Sequence, residues 1–205
     1  MLSLIELLAV ITSGIYGILL ARKKKMDFVG LFSIAFATAF GGGTLRDLFL
    51  DRHPLFWIEN DHYPVIIFCL AIVASLLKSV PTWIERLLPF PDALGLGLFS
   101  LTGTAAALEY GCSPFIASLM GVITGTFGGV IGDISCNEVP SLFSTKTPLF
   151  ATCSFIGCWC YLIMHHFNIS ETRNLITGIS VIVVLRLIAM RWNIRLPQHH
   201  PQHPL

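Results

Sequence analysis

Seven apolar runs of about 20 residues each restrict what this chain can fold into, because a run of that length crosses a hydrocarbon core of roughly 30 Å as a helix. They cover residues 4–21, 28–50, 63–80, 93–110, 114–136, 149–167 and 175–190. Lipid offers no water to the backbone, so each crossing run must close its own hydrogen bonds. Composition agrees: 54% of the 205 residues are apolar and 12% charged, with a mean hydropathy of +0.75, whereas soluble domains carry about 25% charged residues. The sequence therefore predicts an all-α integral membrane protein with seven transmembrane helices.

The first run reads as a retained helix and not as a cleaved leader. It lacks a basic n-region, carries Glu6, and is followed rather than preceded by Arg22, Lys23, Lys24 and Lys25. With seven spans, the first, third and fifth connections lie on the same side as the C-terminus. That side holds Arg22, Lys23, Lys24, Lys25, Lys78, Arg86, Lys146, Arg191 and Arg195, and the other side only Arg52 and Arg173. The positive-inside rule then puts the C-terminus in the cytoplasm and the N-terminus outside it, as in a prokaryotic inner membrane. The basic run Arg22, Lys23, Lys24, Lys25 reads first as a topology anchor, with anionic lipid as a further partner. A net charge of +1 gives no reason to expect a nucleic-acid partner. The six cysteines lack zinc or redox spacing and read as packing residues. The C-terminal stretch, rich in proline and histidine, reads as a mobile end, with metal binding at His199, His200 and His203 a minor alternative.

Sliding the chain on itself by 86 residues pairs Glu6 with Asp92, Gly17 with Gly103, Thr38 with Thr124, Gly42 and Gly43 with Gly128 and Gly129, Asp47 with Asp133, and Pro54 with Pro140. This is an internal duplication. Each copy holds three spans, and an odd number turns the second copy upside down. The organisation is a first three-helix repeat over 1–86, an inverted second repeat over 87–170, a seventh helix over 171–195 and a tail over 196–205.

Each repeat interrupts its middle span with glycines, Gly41, Gly42 and Gly43 in the second and Gly128 and Gly129 in the fifth. Three glycines destabilise a helix by roughly 3 kcal/mol relative to alanine. The expectation is a break in both helices that bares backbone to a water-filled path, as paired glycine-interrupted helices do in inverted-repeat transport proteins. The alternative is close helix crossing through small residues, which suits Gly121 and Gly125 better.

Arg46, Asp47, Asp133 and Arg186 lie within spans, where a charge costs on the order of 3 kcal/mol and must face protein or water. Adjacent Arg46 and Asp47 diverge by about 100° on a helix and look like poor partners, whereas Arg186 lies at a depth that would let it neutralise Asp133. Arg46 is assigned a gate or charge barrier. The hydroxyls of Ser13, Thr38, Thr102, Thr104, Thr124 and Thr126 can offer oxygens to a partly dehydrated cation. Thr38 and Thr124, being repeat mates, carry most of that expectation; the other reading is bonding to their own helix carbonyls.

Gly41-Gly42-Gly43-Thr44-Leu45-Arg46-Asp47, repeated as Gly128-Gly129-Val130-Ile131-Gly132-Asp133 in a seven-span chain of this length, resembles the prokaryotic trimeric intracellular cation (TRIC) channels. Bacterial members are also catalogued as glycine transporters. The resemblance implies a 3+3+1 fold, a homotrimer, and one potassium-permeable pore per protomer with spans two and five kinked at the glycines. It also implies a cytoplasmic C-terminus. The family's second motif usually has arginine before its aspartate, where this chain has Gly132.

The leading reading is a passive channel for monovalent cations, with no cofactor beyond the permeant potassium or sodium. No TVGYG-like filter is present, so discrimination between these ions is expected to be weak. The alternative is a secondary transporter of glycine or another small zwitterion. An enzyme is not expected: no H-E-x-x-H, G-x-S-x-G or G-K-[ST] sequence occurs.

Overall fold

The structure, a computed structural model, describes residues 2–77, 89–144 and 147–195. Lys78, Arg86 and Lys146 of the charge asymmetry, the end of the third predicted span and the tail histidines lie outside these residues. The described residues form eight helices: α1 (Leu2–Lys23), α2 (Phe28–Phe49), α3 (Phe56–Glu59), α4 (His62–Leu76), α5 (Pro89–Glu109), α6 (Pro114–Ser135), α7 (Ala151–His166) and α8 (Glu171–Arg191). Among them α1, α2, α6 and α8 are long and apolar enough to cross a membrane, and α4 is a shorter apolar helix. The protein is an all-α membrane protein.

Helix ends follow local chemistry. The Asp27 carboxylate accepts from Gly30 N and the Ser113 hydroxyl from Ile116 N, capping α2 and α6, and Pro114 opens α6 where its missing N–H costs nothing. Left-handed residues close helices in both copies: Lys25 and Gly111, then Asp51 and Asn137, are repeat mates with φ of 55°, 75°, 52° and 55°. The duplication thus extends to the turns.

Packing repeats as well. α1 packs on α2 and α4 as α5 packs on α6 and α7, while α2 against α6 and α1 against α5 join the halves. α8 lies against α5 and α7. Helix α5 is central: every residue from Ala93 to Ala107 except Leu94 is buried, so its glycines and hydroxyls face protein and not lipid. Outward faces carry Leu8, Val65, Val73, Ile156 and Val184, as a bilayer requires.

The expected breaks are absent. Both α2 and α6 stay helical through their glycines, and the glycines instead let the two helices cross at backbone distance. A Cβ on Gly42 would collide with the Thr124 carbonyl oxygen, and one on Gly128 with the Thr38 carbonyl oxygen. Likewise a Cβ on Gly17 would strike the Thr38 hydroxyl and one on its mate Gly103 the Thr124 hydroxyl. Tight small-residue contact repays the weak helix propensity. Gly41 accommodates the Ile131 side chain.

Gly129 is the exception, because a Cβ added there would meet nothing within 4 Å. Accordingly Gly42→Val should lower stability by about 1–3 kcal/mol through overpacking, whereas Gly129→Ala should be neutral or stabilising. Thermal unfolding of the detergent-solubilised protein, followed by size exclusion, checks this; equal losses in both variants would refute the crossing role.

Candidate functional site

Two charged clusters sit at opposite ends of the bundle. The first gathers Glu6 near the start of α1 with Arg46 and Asp47 near the end of α2. Arg46 Nε donates to Asp47 Oδ1 at 2.8 Å and Nη1 to Glu6 Oε1 at 3.2 Å, with its guanidinium 5.1 Å from the Phe56 ring centre. Asp47 Oδ2 accepts from Phe56 N at 2.7 Å. Arg46, Asp47 and Phe56 are each 0% exposed. The neighbours Arg46 and Asp47 therefore do pair, contrary to the helical-wheel expectation. The guanidinium stands on a three-carbon stem long enough to fold back, and its full burial turns it toward the carboxylates beside it.

The second cluster joins Asp92 at the start of α5, Asp133 near the end of α6 and Arg186 near the end of α8. Arg186 does not reach Asp133 as expected. Its Nη2 donates to Asp92 Oδ2 at 3.1 Å, and its Nη1 to the carbonyl oxygens of Pro148 and Leu149 at 2.9 and 3.0 Å. Its guanidinium lies 4.4 Å from the Phe150 ring centre. Asp133 Oδ2 accepts from Ser141 N at 2.7 Å. The true partner was missed because residue 92 falls one position before the fourth apolar run; its match to Glu6 in the repeat was the available signal.

Asp92, Asp133 and Arg186 line a cavity of ≈ 170 Å³ together with Tyr16, Thr126 and Gly129. A narrower space of ≈ 20 Å³, about enough for one water, adjoins it beside Ser13, Thr38, Thr124 and Gly128. The two share Tyr16, Asp92, Gly129 and Phe150. Thr38 donates to the Ile34 and Ser13 carbonyl oxygens, and Thr124 to that of Met120, at 2.7–3.0 Å. Both hydroxyls thus bond helix carbonyls, and a donating hydroxyl keeps its lone pairs free to accept.

The glycine mates Gly43 and Gly129 differ in what fills their notches. The Phe56 ring packs into the notch at Gly43, while that at Gly129 opens on the cavity. Of the basic run, Arg22 donates to the carbonyl oxygens of Ala74 and Leu77 at the end of α4, and Lys24 pairs with Glu138 at 2.5 Å. Their shared hydrogen bond raises the Lys24 pKa and lowers that of Glu138. It ties the α1–α2 connection to the α6–α7 connection.

Removing Asp47 leaves the Phe56 amide buried without its acceptor and the buried guanidinium with Glu6 alone, whereas Asp133 borders a cavity and holds the amide and hydroxyl of Ser141. Asp47→Ala should therefore cost about 3–5 kcal/mol and Asp133→Ala clearly less, by thermal unfolding in detergent; a larger loss at Asp133 would contradict the assignment.

Comparison with known proteins adds to this geometry. A family model described as "Glycine transporter" matches twice, over residues 3–79 and 90–166, once for each copy of the duplication. The UPF0126 membrane protein of Vibrio cholerae is 36% identical over 201 residues, covering 96% of this chain and 82% of its own. The UPF0126 inner membrane protein YadS of Escherichia coli is 34% identical over 189 residues, covering 90% and 89%. The solved TRIC trimeric intracellular cation channel orthologue from Rhodobacter sphaeroides has a TM-score of 0.84 at 30% identity, covering 94% of this chain and 98% of that one. A structure described as the basis for conductance through TRIC cation channels gives a TM-score of 0.89 at 29% identity, covering 98% of each chain. These solved relatives are channels, not enzymes. On a family model matched over both halves and relatives aligned along nearly the whole chain, this membrane protein belongs to the TRIC channel family, whose sequence model bears the glycine-transporter description.

Proposed function

We propose that the protein is a passive channel for monovalent cations, potassium above all, assembled as a homotrimer with one path through each protomer. The observation that carries this reading is the pair of adjoining cavities, walled by α1, α5 and α6, that run from Asp133 to Thr38 and Thr124. The solved relatives, described as trimeric and as cation channels, support it. Helices α1, α2, α4, α5, α6, α7 and α8 serve as the seven spans, in two inverted repeats over 1–86 and 87–170 followed by the seventh helix over 171–195. The N-terminus is extracytoplasmic and the C-terminus cytoplasmic, on the charge asymmetry. Anionic lipid at the basic run falls to Lys23 and Lys25, which are exposed.

In this orientation the Asp133 cavity opens from the cytoplasmic half, and the Arg46 cluster closes the extracytoplasmic half. The conformation is a closed one. Phe56 is the plug in the Gly43 notch, held through its amide by Asp47 and across its face by Arg46. Arg46, Asp47, Gly41, Gly42 and Gly43 form the outer gate; Thr38, Thr124, Gly128, Gly129, Asp133 and Arg186 line or border the inner path.

Planar-bilayer recordings with potassium, sodium and glycine gradients test the reading. Unitary cation currents with weak potassium-over-sodium discrimination are expected, and saturable glycine counterflow without unitary currents would establish the carrier alternative instead. Phe56→Ala should raise open probability by up to roughly 30-fold, the change in a two-state equilibrium that about 2 kcal/mol of packing lost from the closed state produces; an unchanged open probability would remove Phe56 from the gate.

A further inference from the structure

The first repeat places one arginine against the carboxylate near the start of its leading helix: Arg46 bonds Glu6. At the offset of the duplication, the mate of Glu6 is Asp92 and the mate of Arg46 is Gly132. Any side chain there would have to displace Thr38. A Cβ on Gly132 would collide with the Thr38 methyl group and approach Leu20 Cδ2 at 3.6 Å, because this face of α6 is pressed against α2. The second carboxylate nevertheless has an arginine. Arg186 reaches Asp92 at 3.1 Å from α8, the helix outside the duplication.

The resemblance between the two sites goes beyond one ion pair. Each guanidinium stacks on a phenylalanine from the connection that follows the middle helix of its repeat, Phe56 in one case and Phe150 in the other. Both arginines are buried, at 0% and 4% exposure, and each keeps one nitrogen without a hydrogen-bond partner among the described residues, Nη2 of Arg46 and Nε of Arg186. Each site counts two carboxylates against one guanidinium, a net charge of −1.

From this we infer that Arg186 is the functional counterpart of Arg46, supplied to the second repeat by the seventh helix. The two arginines are matched charge barriers at opposite mouths of one path. Arg186 sets the charge that a cation meets at the cavity mouth, and Arg46 sets it at the plugged end. The inference rests on the channel reading above.

The two barriers predict effects of opposite sign. Neutralising either arginine takes its own mouth from −1 to −2, concentrates cations there and favours current entering from that side. Inside-out patches from spheroplasts, which fix the sidedness, should show the ratio of outward to inward unitary current shifting by about twofold or more in Arg186→Gln and by a similar factor the other way in Arg46→Gln. Asp92→Asn combined with Arg186→Gln restores −1 and should bring the ratio back. Should Arg186→Gln fail to insert, Asp92→Asn and Glu6→Gln carry the same test with both signs reversed. Shifts in the same direction, or an Arg186 variant that conducts with an unchanged ratio, would overturn the equivalence while leaving the channel intact. A wild-type protein without unitary currents would overturn the channel reading and this inference with it.

Discussion

The fold depends on the backbone contact between α2 and α6. Gly42 faces the Thr124 carbonyl and Gly128 faces the Thr38 carbonyl, so each middle helix leans on the other at the residue its repeat mate also uses. No side chain fits between them. In a bilayer, where apolar side chains gain little by leaving lipid for one another, such close backbone approach is a principal source of helix association. It also fixes where space remains. Gly128 touches α2, whereas Gly129, turned about 100° around α6, borders a cavity lined from α1, α5, α6 and α8.

The two halves share one plan and differ in how its ends are filled. At one end Phe56 occupies the notch of Gly43 and Asp47 is bonded to both Arg46 and the Phe56 amide. At the other, Gly129 stays open and Asp133 holds the amide and hydroxyl of Ser141 in a cavity bordered by Arg186. A symmetric frame with unlike ends, one filled and one opening on a cavity, is what the proposed path needs in a closed conformation. The ion pairs around it are positioning elements more than sources of stability, because desolvating buried charges offsets most of what their attraction returns.

Much of this was legible in the sequence. Hydropathy placed every helix except α3 to within a few residues, since span length is a local property fixed by bilayer thickness. Alignment of the chain with itself exposed the duplication. Partner choice was not legible. Asp92 lies just outside an apolar run, so Arg186 was matched to Asp133, the nearest carboxylate inside one. The short helix α3 carries no periodic signal in four residues. Propensity counts only what a helix loses, so it favours breaks at these glycines over the close crossing that the sequence also allows; what Gly42 and Gly128 gain is a neighbour's backbone, which a single helix does not reveal.

The central claim is that ions pass through the space at Gly129, between α6 and helices α1 and α5. Its most direct test is a Gly129→Cys variant in a background with the six native cysteines replaced, recorded while a charged, water-soluble thiol reagent is applied from the cytoplasmic side. The account predicts progressive loss of unitary current as the thiol is modified. Full modification by mass spectrometry with undiminished current would place the path elsewhere and contradict it.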